Sequence, residues 1–177
     1  INYTVTDVDG DVANGTLDID VDDDTPEMNR ADVSLPTLQV DETNLAANDS
    51  DDFSVVFDGD FGADGPGSTS YAVSVIAGTD SGLVDVATGD SIFLFMNGAV
   101  VEGRVGGEGG AVAFTVSVNS GTGVVTLDQL RALTHPDATD PNDPVSPDAT
   151  SIQLVASITD GDGDGDSLSV NIGGSLT

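Results

Sequence analysis

The balance of charge constrains this chain more than any other feature, because 32 acidic residues face only three basic residues in 177 positions. The formal net charge is -29 at pH 7, so a compact fold must hold these charges apart or neutralise them. The three bases are Arg30, Arg104 and Arg131. They are too few to form a basic patch, which argues against nucleic acid and anionic lipid as partners. Without cysteine, disulfides and thiolate metal sites are excluded.

The apolar residues predict a folded core in spite of the charge. Hydrophobic residues make up 38% of the chain, more than a disordered acidic tail contains. No apolar stretch approaches the roughly 20 residues that a membrane helix needs, so we expect no direct membrane insertion. The chain also opens without a charged leader or cleavage site, and we expect it to be a fragment of a longer protein.

Apolar and polar residues alternate with the period of a β-strand along most of the chain. The alternating segments are Tyr3/Val5, Phe53/Val55/Phe57, Tyr71/Val73/Val75, Ile92/Leu94/Met96, Val112/Phe114/Val116/Val118, Val125/Leu127 and Leu154/Ala156/Ile158. Turn signals such as Asn97-Gly98 separate them. This pattern predicts an all-β fold, an antiparallel Ig/cadherin-like β-sandwich with Greek-key connections, long acidic loops and at most one short helix.

That one helix is predicted over residues 127–133. Thr126 and Gln129 have the spacing of a capping box. Pro136 disfavours helical backbone at the residue before it, which gives the segment an end. We expect this helix to be a short connection between two strands.

The acids are concentrated in four segments, since residues 7–27, 41–64, 137–148 and 160–166 hold 25 of the 32. Two of these segments repeat, because Thr6-Asp7-Val8-Asp9-Gly10-Asp11 returns as Thr159-Asp160-Gly161-Asp162-Gly163-Asp164, 153 residues later. The repeat predicts two consecutive modules of a tandem array. Residues 1–25 would be the closing strands and acidic linker of a preceding module, and residues 26–177 one complete module. The alternative is two unrelated acidic hairpins within one domain.

Carboxylates at every second position suit Ca²⁺, which takes six to eight oxygen ligands in flexible geometry. The segment Asp160-x-Asp162-x-Asp164-Gly165 fits the first half of an EF-hand loop, but Asn171 stands where that loop needs Glu and no helix flanks it. We therefore predict calcium-binding turns between strands. Their ligands would be Asp7, Asp9 and Asp11 in the first turn and Asp160, Asp162 and Asp164 in the second. The alternative is a solvated acidic hairpin without an ion.

Two further acidic segments are candidate cation sites. One is a proline-rich loop that offers Asp137, Asp140, Asn142 and Asp143, and the other combines Asp41, Glu42, Asp58, Asp60 and Asp64. Prolines hold the first loop extended, which can pre-organise its oxygens. For each segment the alternative is plain acidic surface. Together the four segments predict several bound Ca²⁺ ions.

Catalytic motifs are missing from the sequence. His135 is the only histidine, there is no cysteine to pair with it, and no Gly-x-Ser-x-Gly elbow is present. The paired acids lie in hydrophilic turns, which lower a carboxyl pKa, whereas a general acid needs a raised one. We expect this protein not to be an enzyme.

Several longer strings carry a family resemblance. They are Leu38-x-Val40-Asp41-Glu42-Thr43, Phe61-Gly62-Ala63-Asp64-Gly65-Pro66-Gly67-Ser68, Leu83-Val84-Asp85-x-Ala87-Thr88-Gly89, Val101-Glu102-Gly103-Arg104, Val124-x-Thr126-Leu127-Asp128-Gln129-x-Arg131-Ala132-x-x-His135-Pro136-Asp137 and Thr159-Asp160-x-Asp162-Gly163-Asp164. In combination, over residues 35–175, they resemble the large repeat modules of bacterial RTX adhesins exported by type I secretion. The resemblance implies a calcium-dependent β-sandwich in a long, extracellular cell-surface protein that mediates cell adhesion and biofilm formation.

Modules of that family either bind ligands or act as passive extenders stiffened by calcium. An immunoglobulin-like sandwich needs about 100 residues, whereas this copy uses about 145, and the surplus lies in the irregular segments 58–70, 102–111 and 134–150. Long ordered loops favour a function. We therefore expect a monomeric module that contacts neighbouring modules and binds a peptide or protein ligand on another cell; the alternative is a calcium-rigidified spacer without a ligand.

The predicted ligand contacts are His135, Asp137, Asp140 and Arg104. The acids belong to the proline-rich loop, where a bound Ca²⁺ would assist the contact. Arg104 is a candidate to receive a ligand carboxylate. Its alternative role is that of an internal partner to an aspartate.

Overall fold

The computed structural model describes residues 1–20, 23–137 and 143–177. Its strands are β1 (Asn2–Thr6), β2 (Val12–Thr16), β3 (Glu27–Arg30), β4 (Asp49–Asp52), β5 (Phe57–Asp60), β6 (Pro66–Ser74), β7 (Thr79–Val84), β8 (Ser91–Asn97), β9 (Val100–Val105), β10 (Val112–Val118), β11 (Val124–Gln129), β12 (Gln153–Asp160) and β13 (Gly165–Asn171). Three single-turn 3-10 helices, Glu42–Asn44, Ser54–Val56 and Gly173–Ser175, complete the regular elements of the described residues. The all-β prediction is confirmed.

The helix predicted over residues 127–133 is wrong, because residues 127–129 are the end of strand β11 and Leu133 forms an isolated antiparallel β-bridge with Asp85. Thr115 to Val118 of β10 pair antiparallel with Val125 to Asp128 of β11. Val125, Leu127 and Gln129 face inward at alternate positions and are buried. Burial of this alternating face outweighs a local capping pattern, which is worth about 1 kcal/mol.

The strands form two main antiparallel sheets. The larger sheet has the order β4-β11-β10-β9-β8-β7, and β7 to β11 follow one another in it as a meander. The smaller sheet has the order β13-β12-β6, so the chain crosses between sheets after β6 and returns at β12. A two-stranded pair, β3-β5, packs beside the smaller sheet. Strands β1 and β2 form a separate hairpin in which all five residues of β1 are exposed.

The main core lies between the two sheets, as a sandwich requires. Ile92, Leu94 and Val116 of the larger sheet and Val73 and Leu154 of the smaller sheet belong to one buried cluster. The prediction of a β-sandwich is therefore confirmed. Within the described residues, no helix is long and apolar enough to cross a membrane.

A smaller cluster continues the inner face of β12 towards the turn that follows it. Ala156 and Ile158 of β12 pack there against Met28 of β3, with Phe57 and Leu168 alongside. The backbone N-H of Met28 also donates to Asp166 Oδ2 at 2.8 Å. These contacts fix the start of β3 beside the β12-β13 turn. They also fix the end of the segment between β2 and β3, residues 17–26, which we call the linker.

A buried ion pair anchors the segment after β11. The guanidinium of Arg131 donates to both carboxylate oxygens of Asp85, at 2.7 and 2.9 Å. Thr88 donates to the same carboxylate through its backbone N-H and its hydroxyl. Asp85 is fully buried, and the hydrogen bonds from Arg131 lower its pKa to about 2. Bidentate pairing and the two bonds from Thr88 compensate for the burial of this charge.

We expect Asp85→Asn to destabilise the fold by about 2–3 kcal/mol, because it leaves Arg131 without its partner. For a chain of this size that loss lowers the melting temperature by about 5–10 °C. Calorimetric melts of the variant, of wild type and of the exposed neighbour variant Asp90→Asn measure it. Because the folded pKa of Asp85 is lowered, its contribution is present above pH 3.8 and is lost as the pH falls through about 2. Equal melting temperatures for Asp85→Asn and Asp90→Asn would contradict this role.

Candidate metal centre and candidate ligand pocket

The turn between β12 and β13 places one carboxylate in the interior. Asp160 Oδ1 accepts hydrogen bonds from the backbone N-H groups of Gly163, at 3.0 Å, and Asp164, at 2.8 Å. Gly163 has a φ of 111°, in a region that side chains rarely adopt. The turn therefore closes around the side chain of Asp160, which is only 4% exposed.

The second carboxylate oxygen of Asp160 is buried and has no hydrogen-bond partner among the described residues. An unsatisfied buried oxygen is costly, and a buried charge without a partner costs more. In folded proteins such an oxygen normally faces an ion or a water molecule. This orphaned oxygen marks the place where a cation would be stabilised.

Three exposed carboxylates meet near the same turn. One oxygen from each of Asp23, Asp64 and Asp162 lies within 4.8 Å of the others. Asp23 comes from the linker before β3, Asp64 from the loop between β5 and β6, and Asp162 from the turn itself. Three separate segments therefore converge on one acidic cluster, which we call the linker cluster (Asp23, Asp64, Asp160 and Asp162).

The electrostatics of the linker cluster show the repulsion between its members. Burial, then the charges of Asp23 and Asp160, raise the pKa of Asp64. Contact with the Asp160 carboxyl raises the pKa of Asp162. Burial also acts to raise the pKa of Asp160, but the hydrogen bonds from Asp162, Gly163 and Asp164 outweigh it, and the pKa is lowered. A cation at the centre would relieve this repulsion.

The donor set of the linker cluster fits calcium. All four side chains offer hard carboxylate oxygens, which Ca²⁺ prefers as ligands. Typical Zn²⁺ sites use nitrogen and sulfur ligands instead. The backbone carbonyl of Asp64 lies against Gly161, so closely that a Cβ at position 161 would overlap it. Carbonyl oxygens are common Ca²⁺ ligands. Sites with three or four carboxylates leave positions for carbonyls and water.

The hairpin turn between β1 and β2 repeats this geometry at the surface. Asp7 Oδ1 accepts from the backbone N-H groups of Gly10, at 3.1 Å, and Asp11, at 2.9 Å. Asp7, Asp9 and Asp11 each bring one oxygen within 4.8 Å of the others, and all three are exposed. Contact with Asp9 is the largest cause that lowers the pKa of Asp7. The three acids predicted for this turn thus come together.

Other predicted metal ligands lie elsewhere. Asp41 caps the first 3-10 helix, because its Oδ1 accepts from the N-H and hydroxyl of Thr43, and these bonds lower its pKa. Asp58 and Asp60 lie exposed on β5, opposite Asn29 and Glu27 of β3. Within the described residues, none of these three aspartates joins a group of three or more metal-ligating side chains. Of the predicted set that combined Asp41, Glu42, Asp58, Asp60 and Asp64, only Asp64 enters such a group.

Sequence reasoning missed two residues of the linker. Asp23 supplies one of the carboxylates of the linker cluster. Asp24 Oδ2 accepts from the backbone N-H of Ala63 at 2.6 Å, which holds the linker against the loop that carries Asp64. The acidic run before residue 25 was the available signal. The acidic run gave no indication that it contacts residues 61–64.

His135 lies in a hydrogen-bonded group that joins distant parts of the chain. Glu42 Oε1 accepts from the backbone N-H of Leu133 at 2.6 Å and from the side chains of Gln129 and His135, both at 3.1 Å. The other ring nitrogen of His135 contacts the backbone carbonyl of Asp143. Glu42, predicted as a metal ligand, therefore orients His135.

Part of the proline-rich loop surrounds this group. The backbone N-H of Asp137 donates to Asp143 Oδ2 at 2.7 Å, which brings those two predicted ligands together. The predicted ligands Asp140 and Asn142 lie outside the described residues.

Asp164, predicted in the second turn, donates its backbone N-H to Asp160, and its charge acts to raise the pKa of Asp64.

A cavity of about 90 Å³ opens beside His135. Its apolar lining includes Leu83, Phe114, Leu127, Leu133 and Leu176, and its polar lining includes Gln39, Asp41, Glu42, Gln129, His135 and Asp143. Residues from the segment 143–147 and from the chain end near 176–177 also line it. An apolar cavity with a few convergent polar groups is the usual form of a ligand site.

Arg104, a predicted ligand contact, is an internal partner of an acid. Its guanidinium forms an ion pair with Glu102 and donates to the carbonyl of Gly110 at 3.1 Å. The acid is a glutamate, whereas the sequence suggested an aspartate. Asn97 also donates to Glu102, at 2.8 Å, and this bond is the main cause that lowers the pKa of Glu102. Arg104 is not among the residues that line the cavity beside His135.

His135 gives the fold a pH dependence. Burial acts to lower its pKa, but the carbonyl of Asp143 and the carboxylate of Glu42 outweigh this, and the pKa is raised above 6.5. A raised folded pKa means that the stabilisation is complete below pH 6.5 and is lost as the pH rises through the folded value. We expect His135→Gln to remove about 0.5 kcal/mol of this pH dependence. Melts between pH 5 and 9 in a chelating buffer measure it, and identical profiles for variant and wild type would contradict it.

Comparison with protein families gave one result. The family described as Domain of unknown function (DUF5801) matches residues 37–173, which is 137 of the 177 residues and includes β4 to β13. Neither the curated proteins nor the solved structures gave a match. The matched range includes Asp64, the β12-β13 turn and much of the lining of the cavity beside His135. On this evidence the chain belongs to the family Domain of unknown function (DUF5801).

Proposed function

We propose that this chain is a calcium-dependent module of a bacterial RTX-type surface adhesin, extracellular and without enzymatic activity. The observation that carries the proposal is the linker cluster, where the orphaned oxygen of Asp160 is buried beside Asp23, Asp64 and Asp162. Among the described residues, none of the three arginines forms an ion pair with these carboxylates. Extracellular calcium is the counter-charge that the ligand chemistry favours.

Calcium at this place would have a mechanical role. Asp23 belongs to the linker, and Asp64 and Asp162 belong to two loops of the sandwich. An ion bound by all three would fix the linker to the module and hold the segment that precedes β3 in one direction. Without the ion, the repulsion between these carboxylates, which adds to the burial of Asp64 and to the Asp160 contact of Asp162 in raising their pKa values, would favour an open linker. Such a joint stiffens a chain of modules under load.

The cavity beside His135 favours a ligand-binding module over a passive spacer. Its lining combines apolar side chains with the acids Asp41, Glu42 and Asp143, and it includes no arginine. We propose that it accepts an apolar side chain of a peptide or protein on a partner cell, with a positive group at the rim. Adhesion and biofilm formation would follow from this contact. The alternative is a calcium-rigidified extender without a ligand.

Calcium should raise the melting temperature of the wild-type chain by about 5–10 °C when its concentration is about 100 times the dissociation constant, because binding to the folded state alone adds about 2.7 kcal/mol. Removal of calcium with EGTA should reverse the shift and increase the hydrodynamic radius. Differential scanning calorimetry and size-exclusion chromatography measure these effects.

The matched variants for this experiment are Asp64→Asn, in the linker cluster, and Asp58→Asn, an exposed acid of β5 that lies outside it. Both remove one negative charge, so any difference reports the site. We expect Asp64→Asn to lose most of the calcium shift and Asp58→Asn to keep it. A wild-type melt that is the same in calcium and in EGTA would overturn the calcium proposal.

Ligand binding is tested with a peptide array in calcium buffer. Val145 lines the cavity and is partly buried, so Val145→Arg would place a bulky positive group there. Val86→Arg is the control, since Val86 is exposed and lies outside this cavity. We expect saturable binding of peptides with apolar and basic residues by wild type and by Val86→Arg, and at least tenfold weaker binding by Val145→Arg. No saturable peptide, or equal binding by both variants, would leave the extender function.

A further inference from the structure

We propose that the hairpin β1-β2 is the closing hairpin of another copy of this same module. In that copy, the free edge of β1 would pair with a strand equivalent to β6. The surface is the free edge of β1, and its occupant is a strand equivalent to β6. Both follow from backbone geometry, which does not depend on calcium or on the ligand of the proposed function.

The two hairpins have the same register. In the first, Asn2 pairs with Thr16 and Thr6 with Val12. Addition of 153 to each number gives Val155 opposite Ser169 and Thr159 opposite Gly165, which are the pairs in β12-β13. The three intervening pairs also correspond. Register in a hairpin is set by its turn and its buried face. The two turns therefore have the same length, and equivalent positions of the two hairpins face the same side.

The turns correspond atom by atom. In each, the first aspartate donates its backbone N-H to the carbonyl of the residue four positions on, at 3.0 Å in both. Its Oδ1 accepts from the residues three and four positions on, at 3.1 and 2.9 Å in the first turn and at 3.0 and 2.8 Å in the second. Gly10 and Gly163 hold φ values of 99° and 111°. The equivalence therefore extends to backbone conformation.

The apolar face of the first hairpin is exposed, whereas that of the second is buried. Tyr3, Val5 and Leu17 are 54%, 59% and 52% exposed on the first hairpin, and Ile1 and Ile19 are more exposed still. Their counterparts are Leu154, Ala156, Ile158, Val170 and Ile172, and all five are buried. A two-stranded hairpin is marginally stable alone. The first hairpin therefore has an apolar face that resembles that of a core strand pair, but among the described residues this face is exposed.

One pair of residues shows that both faces fill the same volume. Tyr3 stands opposite Gly15, and its ring covers the space that a Cβ at position 15 would occupy. The equivalent pair is Ala156 opposite Leu168. In the first hairpin the large residue, Tyr3, lies on the first strand and the small one on the second. In β12-β13 the small residue, Ala156, lies on the first strand and the large one on the second. Cores tolerate such changes when the total volume is kept, which indicates that both hairpins fit the same surroundings.

The occupant of the free edge follows from β12. That strand pairs with β13 on one side and with β6 on the other, with Ala156 opposite Tyr71 and Ile158 opposite Thr69. Ile1 and Leu17 exchange both hydrogen bonds, so by alternation the N-H groups of Asn2, Thr4 and Thr6 face away from β2. Their counterparts 155, 157 and 159 face β6. A strand equivalent to β6 is therefore the occupant that this edge fits.

A hairpin graft tests the proposal in the full chain. Residues 154–172 are replaced by a second copy of residues 1–19, which keeps length and register. We expect cooperative unfolding, with a melting temperature lowered by no more than about 10 °C, since the graft loses the Asp166 contact with Met28. The control graft inserts residues 2–20 at the same place, which turns every apolar side chain to the wrong face.

The control graft should show no cooperative transition. The proposal is overturned if the in-register graft fails to unfold cooperatively, or if both grafts are equally stable. The in-register graft retains aspartates at the positions of Asp160, Asp162 and Asp164. If the melting temperature of the wild-type chain does not change with calcium, the proposed function is contradicted, but the result expected for the two grafts stays the same. The two failures are therefore distinguishable.

Hydrogen exchange tests the free edge itself. Residues 26–153 are fused directly before Ile1, so that the added segment supplies a β6 and the first hairpin closes that copy. We expect the amides of Asn2, Thr4 and Thr6 to exchange at least 100-fold more slowly than in the unfused chain. The same fusion with Val5→Asp, a charge on the apolar face, should lose this protection. Unchanged exchange of the three amides in the first fusion would overturn the proposal.

Discussion

Repulsion between carboxylates that the fold brings together is the constraint on which the rest of this structure depends. Asp160 is buried at the end of β12, and Asp23 and Asp64 approach Asp162 from two other segments. Within the described residues no arginine forms an ion pair with these carboxylates, since Arg131 pairs with Asp85 and Arg104 pairs with Glu102. The proposed divalent cation would relieve this repulsion without a covalent link. The sandwich would then supply the scaffold, and the ion would connect the linker to it.

Strand β12 relates the two candidate sites. It begins after the segment 143–147 that lines the cavity beside His135, and it ends at Asp160 in the linker cluster. Eight strand residues span about 26 Å. The proposed ligand and the proposed ion are therefore held on one rigid element but well apart. Contacts between residues distant in sequence hold both candidate sites in place. Glu42 contacts the ring of His135 beside the cavity, and Asp24 accepts from the backbone N-H of Ala63 beside the linker cluster.

The sequence predicted the elements whose signals are local. Strands β6, β8, β10 and β12 follow from the alternation of residues such as Ile92, Leu94 and Met96, and the two acidic turns follow from the repeat at residues 6 and 159. The alternation Phe53/Val55/Phe57 misled, because Ser54–Val56 is a 3-10 helix that buries Phe53 and Val56. The local capping pattern also gave the wrong state for the last residues of β11. The roles of Asp23, Glu42 and Arg131 depend on contacts between residues 41 to 139 positions apart, which no local pattern contains.

The central claim is that one calcium ion joins the linker to the sandwich at the linker cluster. A calcium titration of the isotope-labelled chain, followed by backbone amide NMR shifts, tests it most directly. The account predicts that the amides of Asp23, Asp64, Asp160 and Asp162 shift together with one common midpoint, well before the exposed acids of β4 and β5. Small shifts spread evenly over all acidic segments, without a common midpoint and without a response at Asp23, would contradict it.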